Sequence, residues 1–344
     1  RTHMDSLGFV ETETPILTKS TPEGARDYLV PSRLHKGECY ALPQSPQIYK
    51  QLLMVGGLDK YYQVARCFRD EDSRADRQPE FSQLDIEMSF VEPEDVQTVV
   101  EGAFKEVFKA VKGIDIELPL KRMTWKEAME SYGSDKPDLR YGMKIKDVSE
   151  LVKDCGFSVF ESAVSAGNIV CSIKADNASS KLSRKDFDAL SEFVKTYHVK
   201  GLAWYAENED GSVRSSFAKF MSAESLAALK NAMDFKAGDA MFFIADKKLV
   251  ALTAMGQLRI RLANMFSLVN SDEFKLLWIT EFPLLEWNEE ADRFVAAHHP
   301  FTMPMNEDFE LMETFPEKVR AKSYDLVLNG VEMGSGSIRI HASD

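Results

Sequence analysis

The chain has 344 residues, with 42 lysines and arginines against 55 aspartates and glutamates, a formal net charge of −13 and 44% hydrophobic residues. That composition can bury a real core and excludes a disordered or collagen-like chain. No apolar run approaches the roughly 20 residues of a membrane-spanning helix, and the acidity argues against sequence-blind DNA binding. Length suggests about two domains of roughly 150 residues each. Cys39, Cys67, Cys155 and Cys171 are scattered without a C-x-x-C, which fits a reducing, intracellular compartment and argues against zinc. Arg1 to Ser20 is polar and interrupted by Pro15, so it does not read as a secretory signal.

The first clear helix spans 45–56, with Ser45 as a suitable N-cap, Pro46 at the first helical position and Gly56-Gly57 as the stop. Gln47, Lys50, Gln51 and Met54 share one face, and Ile48, Leu52 and Val55 another. The polar face fits either solvent or a pocket wall. Residues 61–69 and 81–90 alternate as strands; in the second, Leu84, Ile86, Met88 and Phe90 oppose Gln83, Asp85, Glu87 and Ser89. Between them lies a charged loop, 70–80, so the pair reads as a long antiparallel hairpin. Arg69, Arg74 and Arg77 suit phosphate oxygens, and the acidic strand face suits an ammonium group or a metal.

The spacing of Val96, Val99, Val100, Ala103, Phe104, Val107, Phe108 and Val111 predicts a packing helix over 93–112, ended by Gly113. Further on, helices near 144–155, 184–197 and 222–233 alternate with strands near 168–174, 201–206 and 240–246, which implies a sheet carrying helices. Its charges form no legible site. The last stretch holds a buried strand at 274–281, then His298-His299-Pro300-Phe301-Thr302. It closes with Val331 to His341, where Gly334-Ser335-Gly336 marks close approach of a ligand or a neighbouring segment to the backbone. Similar styles at both ends around a plainer middle suggest one domain interrupted by another.

Phe68-Arg69-Asp70-Glu71 followed by Arg77-Gln78-Pro79-Glu80-Phe81 resembles motif 2 of the class II aminoacyl-tRNA synthetases. Gln44-Ser45-Pro46-Gln47, Lys50 to Met54, Thr21 to Tyr28, Ser134-Asp135-Lys136-Pro137-Asp138-Leu139-Arg140 and His298 to Thr302 narrow the resemblance to the bacterial-type aspartyl-tRNA synthetases. The resemblance implies an α+β fold, a mainly antiparallel sheet flanked by helices. It divides the chain into a first catalytic part at 1–140, an inserted α/β GAD domain at 141–270 and a second catalytic part at 271–344. It also implies activation of L-aspartate by ATP with Mg²⁺, transfer to tRNA-Asp and possibly tRNA-Asn, and a cytoplasmic homodimer built through motif 1 near Arg1 to Leu17, with neither membrane nor DNA as partner.

Carried over residue by residue, Arg69 resembles the arginine that holds the α-phosphate and the reacting carboxylate. Asp70, Glu71 and Gln78 resemble the ATP side of that loop, with Arg77 a further phosphate contact. Asp325 and Glu332 resemble the carboxylates that hold Mg²⁺, a hard ion suited to oxygen; Glu332 belongs also to the ATP site. The aspartate pocket resembles Glu23, Ser45, Gln47, Lys50, Arg69, Asp85, His298 and Arg339. Lys50 and Arg339 would hold the side-chain carboxylate, Asp85 and Glu23 the ammonium, and His298 would close the pocket, with His299 as its alternate. Arg69, Glu332 and Arg339 would be the catalytic set. An amide in place of the carboxylate would leave two buried cations uncompensated, at about 3–5 kcal/mol, or two to three decades of selectivity.

The family's amino-terminal anticodon-binding OB-fold and its third motif are expected to lie outside these 344 residues. The family's Gly-Gly-Gly-Ser run is here Gly334-Ser335-Gly336-Ser337. A paralogous asparaginyl, lysyl or ammonia-dependent ligase and a non-catalytic synthetase-derived module are the competing readings. The Lys50/Arg339 pair opposes the first, and the intact Arg69, Glu332 and Arg339 oppose the second.

Overall fold

The computed structural model describes residues 1–21, 23–73 and 77–341. They form two compact units: Arg1–Leu120 with Pro283–Ser323 and Ser337 onward, and Lys121–Phe282 with Tyr324–Gly336.

The first unit opens with α1 (Thr2–Ser6) and β1 (Val10–Glu11), then a small hairpin of β2 (Leu29–Pro31) and β3 (Cys39–Ala41). Next come α2 (Gln47–Val55), the long antiparallel pair β4 (Lys60–Phe68) and β5 (Glu80–Met88), and α3 (Pro93–Lys112). β1 lies parallel to β4, giving the order β1-β4-β5. The alternation in β5 sorts its two faces. Ile86 and Met88 pack with Met4, Phe9, Tyr62 and Val99, whereas Asp85 and Glu87 face Lys50 of α2.

The α3 helix forms over the expected residues, with a Glu92/Asp95 capping box and a left-handed Gly113 (φ 70°). Its apolar stripe is only partly covered. α1 crosses it at Gly102, where a Cβ would lie 2.8 Å from the His3 ring. The last two turns run past this crossing, so Val107 and Val111 are 57% and 73% exposed.

The second unit contains β6 (Lys121–Thr124), α4 (Trp125–Tyr132), β7 (Lys146–Asp147), α5 (Ser149–Val152), α6 (Ser158–Ser165), β8 (Ile169–Ala175) and α7 (Arg184–Lys195). It continues with β9 (Ala203–Glu207), β10 (Val213–Ser215), α8 (Ala223–Ala232), β11 (Ala240–Asp246), α9 (Lys248–Met265) and β12 (Leu276–Thr280). Five strands form an antiparallel sheet ordered β10-β9-β11-β8-β7. The central β11 is buried on both sides. Phe242 and Ile244 enter a core with Phe187, Leu190, Met255 and Leu258 of α7 and α9. Met241 and Phe243 enter another with Val152, Phe160 and Leu229 of α5, α6 and α8.

The first unit adds the hairpin β13 (Leu285–Asn288) and β14 (Arg293–Ala296). Finally, β15 (Ser323–Leu328) and β16 (Val331–Ser337) complete a sheet ordered β16-β15-β12-β6, where only β12 and β6 run parallel. Its core is Met123, Ala128, Tyr132, Leu277, Ile279, Phe282 and Val327.

The second unit therefore extends beyond the expected insertion at 141–270, taking in β6, α4 and most of this four-stranded sheet. The cause lies between α4 and α9. Gly133 ends α4 at φ 67°, and a Cβ there would lie 2.1 Å from the Leu252 carbonyl oxygen; a Cβ on Gly256 would lie 2.5 Å from that of Gly133. Such backbone contact is open only to glycine. Beside it, the buried Arg259 donates to the carbonyls of Asp138, Tyr141 and Gly142. No helix among the described residues is long and apolar enough to cross a membrane.

Candidate active site

The site in the first unit is built on the polar face of the β4–β5 pair. Lys50, on the inward face of α2, is 5% exposed. Its ammonium donates to Asp85 Oδ1 at 2.8 Å and lies 3.2 Å from Glu87 Oε2. Burial alone would lower the lysine pKa, but the two carboxylates outweigh it and raise it, with Arg339 opposing them. Lys50 is thus charged at neutral pH, and Arg339 is near enough to be felt.

Pro46, not Ser45, occupies the N-cap of α2. The Ser45 hydroxyl instead donates to Glu23 Oε2 at 2.5 Å, while Thr21 donates to Glu23 Oε1 at 2.6 Å. Gln44, 1% exposed, ties this loop down: its amide donates to Asp27 at 2.6 Å and to the Ala25 carbonyl at 2.9 Å, and accepts from Ala25 N–H at 3.0 Å.

Arg339 is half-buried. Its Nη1 donates to Ser337 Oγ at 2.6 Å and to His299 Nε2 at 2.5 Å, and its Nη2 reaches Gln47 Oε1 at 3.4 Å. His299 stacks on Phe301 at 4.0 Å, with the guanidinium of Arg339 4.9 Å from the same ring. Burial first, then Arg339, His298 and Lys50, push His299 down to about 4. The ring is neutral at pH 7 and accepts at Nε2, so its proton sits on Nδ1, 2.9 Å from Thr302 Oγ1. His298, expected to close the pocket, is exposed beside it.

Two buried atoms in this pocket lack a partner. Gln47 Nε2 donates to nothing. Asp85 Oδ2 is without a partner, and the Tyr61 hydroxyl donates to Gln63 at 2.8 Å. A buried donor and a buried acceptor, each unmatched, suit a small polar ligand that supplies both. Cys67 lies under the same group, its thiol pushed up to about 11 by burial and felt by Arg69, Asp85, Glu23 and Lys50.

At the end of β4, Arg69 N–H donates to the Pro79 carbonyl at 2.9 Å, and its guanidinium lies 5.0 Å from the Phe81 ring. Gly24, Ala25, Arg26, Asp70, Glu71, Asp72 and Arg77 line an open cavity of about 300 Å³. Arg77 lies 3.4 Å from Glu71 across it. Gln78 is exposed. Arg74 lies outside the described residues.

In the second unit, Asp325 on β15 is 7% exposed, and its Oδ1 has no hydrogen-bond partner. Burial, then Glu332 and Asp135, push it up to about 8, against an opposing Lys136. A carboxyl so destabilised as an anion fits a divalent cation, whose charge would offset the cost. Glu332 sits exposed on β16. No group of three or more potential metal ligands is found among the described residues; Mg²⁺ commonly takes one or two carboxylates plus water and phosphate oxygens. Along β16, a Cβ on Gly336 would lie 2.6 Å from the Tyr324 ring, whereas Gly334 has open space. A neighbouring segment thus accounts for one glycine and not the other.

A family model described as tRNA synthetases class II (D, K and N) matches residues 1–344. The chain belongs to this family. An aspartate–tRNA(Asp/Asn) ligase of Lachnoclostridium phytofermentans is 58% identical over 340 residues, covering 99% of this chain and 57% of the relative. An aspartate–tRNA ligase of Ruminiclostridium cellulolyticum is 57% identical over 344 residues, covering 100% of this chain and 58% of its own. An aspartate–tRNA(Asp/Asn) ligase of Bacillus cereus gives the same identity and coverage as the second. The chain thus spans less than two thirds of the length of these relatives.

Residue reasoning passed over Gln44, Glu87, Ser337 and Thr302. Glu87 was visible in the β5 alternation beside Asp85, but nothing in the pattern said that one lysine would take both carboxylates. Ser337 and Thr302 act through Arg339 and His299, and no spacing reveals such a second layer.

Proposed function

We propose that this chain carries the aspartate-activating part of an aspartate–tRNA ligase. The observation that carries the reading is the pairing of opposite ends: the buried Lys50 and half-buried Arg339 as cations, and Asp85 Oδ2, with Glu23, as acceptors. L-aspartate is complementary to that arrangement. Its side-chain carboxylate meets Lys50 and Arg339, and its ammonium meets Asp85 and Glu23. A lysine substrate would bring an ammonium to two cations, and asparagine would bring them no negative charge.

The α-carboxylate, left free by these contacts, attacks the α-phosphorus of ATP. A carboxylate oxygen–phosphorus bond forms, the bond to the bridging oxygen of the β-phosphate breaks, and pyrophosphate leaves. Arg69, held at the strand end and stacked on Phe81, would neutralise charge growing on the α-phosphate. Asp70, Glu71, Arg77 and Gln78 would bind the nucleotide. Asp325 and Glu332 would hold Mg²⁺, which supplies positive charge to phosphate oxygens. A terminal ribose hydroxyl of tRNA then attacks the aspartyl carbonyl, and AMP departs. Neither step needs a covalent enzyme intermediate, so positioning and electrostatics account for the chemistry.

The names of the Lachnoclostridium and Bacillus relatives support tRNA-Asn as a second acceptor. The homodimer through residues 1–17, the reading of the five-stranded sheet and its helices as a GAD domain, and a cytoplasmic location belong to the same proposal.

The test is Arg339→Leu in the intact protein, followed by aspartate-dependent ATP–pyrophosphate exchange and thermal melting. Exchange is expected to fall by at least two decades with the melting temperature nearly unchanged. Wild-type exchange at ordinary aspartate concentration would overturn the assignment.

A further inference from the structure

Gln44 has no part in the chemistry derived above, yet its side chain is buried and engaged at both ends of its amide. It lies between β3 and α2. The strap that carries it is fixed: the Pro43 carbonyl accepts from Phe68 N–H of β4 at 2.8 Å, and Leu42 N–H donates to the Tyr28 carbonyl at 2.9 Å. Its partners, by contrast, lie in a stretch where Thr21 and Glu23 to Asp27 belong to no helix or strand. Regular backbone pairing does not hold them.

The Gln44 amide does so instead. Oε1 accepts from Ala25 N–H at 3.0 Å, while Nε2 donates to the Ala25 carbonyl at 2.9 Å and to Asp27 Oδ1 at 2.6 Å. An amide carries a donor and an acceptor side by side, so it meets both backbone groups of one residue as a neighbouring strand would. Asp27 is held a second time, by the Ser20 hydroxyl. Two residues before Ala25, both oxygens of Glu23 are occupied: Thr21 Oγ1 donates to Oε1 and Ser45 Oγ to Oε2. One of those donors belongs to the same loop, and the other is the residue next to Gln44. The Glu23 carboxylate is thus placed by Ser45 directly and by Gln44 through the backbone at Ala25.

We propose that Gln44 is a positioning residue for recognition of the substrate's ammonium group, acting through Glu23. The inference rests on the reading of Glu23 as an ammonium partner. Held by Gln44, the loop keeps the Glu23 carboxylate where the ammonium would meet it. Released, Glu23 would stay chemically intact but lose its fixed place, and part of the binding energy would go into ordering the loop. The ammonium takes no part in bond making, so its contacts act alike on the bound substrate and on the transition state. Weakening them raises KM and leaves kcat.

The test is aspartate-dependent ATP–pyrophosphate exchange in the intact protein with Gln44→Met, Glu23→Gln and the two combined, beside thermal melting. Gln44→Met is expected to raise the KM for aspartate about tenfold, the scale of one hydrogen bond to a charged group, with kcat within about twofold of wild type. Glu23→Gln is expected to raise KM at least as much. The double variant should match Glu23→Gln alone, because a residue acting only through Glu23 adds nothing once that carboxylate is gone. Damage to the pocket by another route would multiply the two effects. Should Gln44→Met fail to fold, Asp27→Ala, which removes a half-buried partner of the same amide, takes its place with a KM rise in the same direction. A wild-type KM in the variant used, a loss confined to kcat, or multiplying effects would overturn the inference. A wild-type KM in Glu23→Gln would overturn the ammonium reading itself, whereas a rise there with none in Gln44→Met would overturn the positioning role alone.

Discussion

Replacing Lys50 with methionine keeps most of the side-chain volume and removes one charge. Its partners at 2.8 and 3.2 Å are nearly as buried as it is, with side chains 10% and 15% exposed against 6% for the lysine. At an effective dielectric near 20, each contact corresponds to a gross attraction of about 5–6 kcal/mol, and most of that is offset by desolvation. The measurable quantity is the cost of stranding Asp85 and Glu87 together. For one abandoned partner of a buried pair this is about 3–5 kcal/mol. Urea unfolding at pH 7 should show a loss in that range. Above pH 10.5 the wild type should lose its advantage over the variant. Its lysine pKa is raised in the fold, so the contribution is fully present below 10.5 and disappears as pH climbs through the folded value. A loss below about 1 kcal/mol, the range of an exposed pair, would refute the picture of Lys50 as a buried hub. In aspartate–pyrophosphate exchange, the same variant should discriminate less against asparagine.

His299, held down to about 4, favours the fold above its ordinary 6.5, and that favour is lost as pH falls toward 4. His299→Gln should flatten urea midpoints across this window, and a wild-type slope in the variant would contradict it. Gly336→Ala should cost about 1–3 kcal/mol, because the new methyl meets the Tyr324 ring at 2.6 Å. Gly334→Ala, with nothing within 4 Å, should be closer to neutral. Equal melting temperatures for the two would count against the packing argument.

Much of this site could be read from residues alone because its chemistry follows element periods. The two-residue alternation of β5 put Asp85 and Glu87 on one face, and the 3.6-residue period of α2 put Gln47 beside Lys50. Loops carry no such period. Ser45 looked like a helix cap, and only the folded position of Glu23 shows that its hydroxyl serves that carboxylate. The adjacent histidines, 298 and 299, differ in environment rather than in pattern, so stacking on Phe301 had to be seen. The longest omission was α9, Lys248–Met265. It buries Ala251, Met255, Leu258 and Leu262 together with Leu252, Ala254 and Ala263, so apolar residues surround most of its circumference and no amphipathic stripe announces it. The compact units do not break at 141 and 270 for a similar reason: the contact of Gly133 with Gly256 joins residues far apart in sequence.

The ion pairs around Lys50 bear on how this pocket could change its preference. By formal charge, Lys50 and Arg339 are outnumbered by Asp85, Glu87 and Glu23, so the ligand-free pocket is not a cationic sink for anions. It is polarised, and under the proposed function an acidic amino acid would fit only with its ends the right way round. A drift toward a neutral side chain could not proceed by deleting a cation alone, since the carboxylates beneath it would be left bare. Charge would have to leave in pairs, Lys50→Met together with Glu87→Gln, and the single-step intermediates would be the least stable members of the series. Under the proposed function, specificity would thus be protected by a stability valley as well as by affinity.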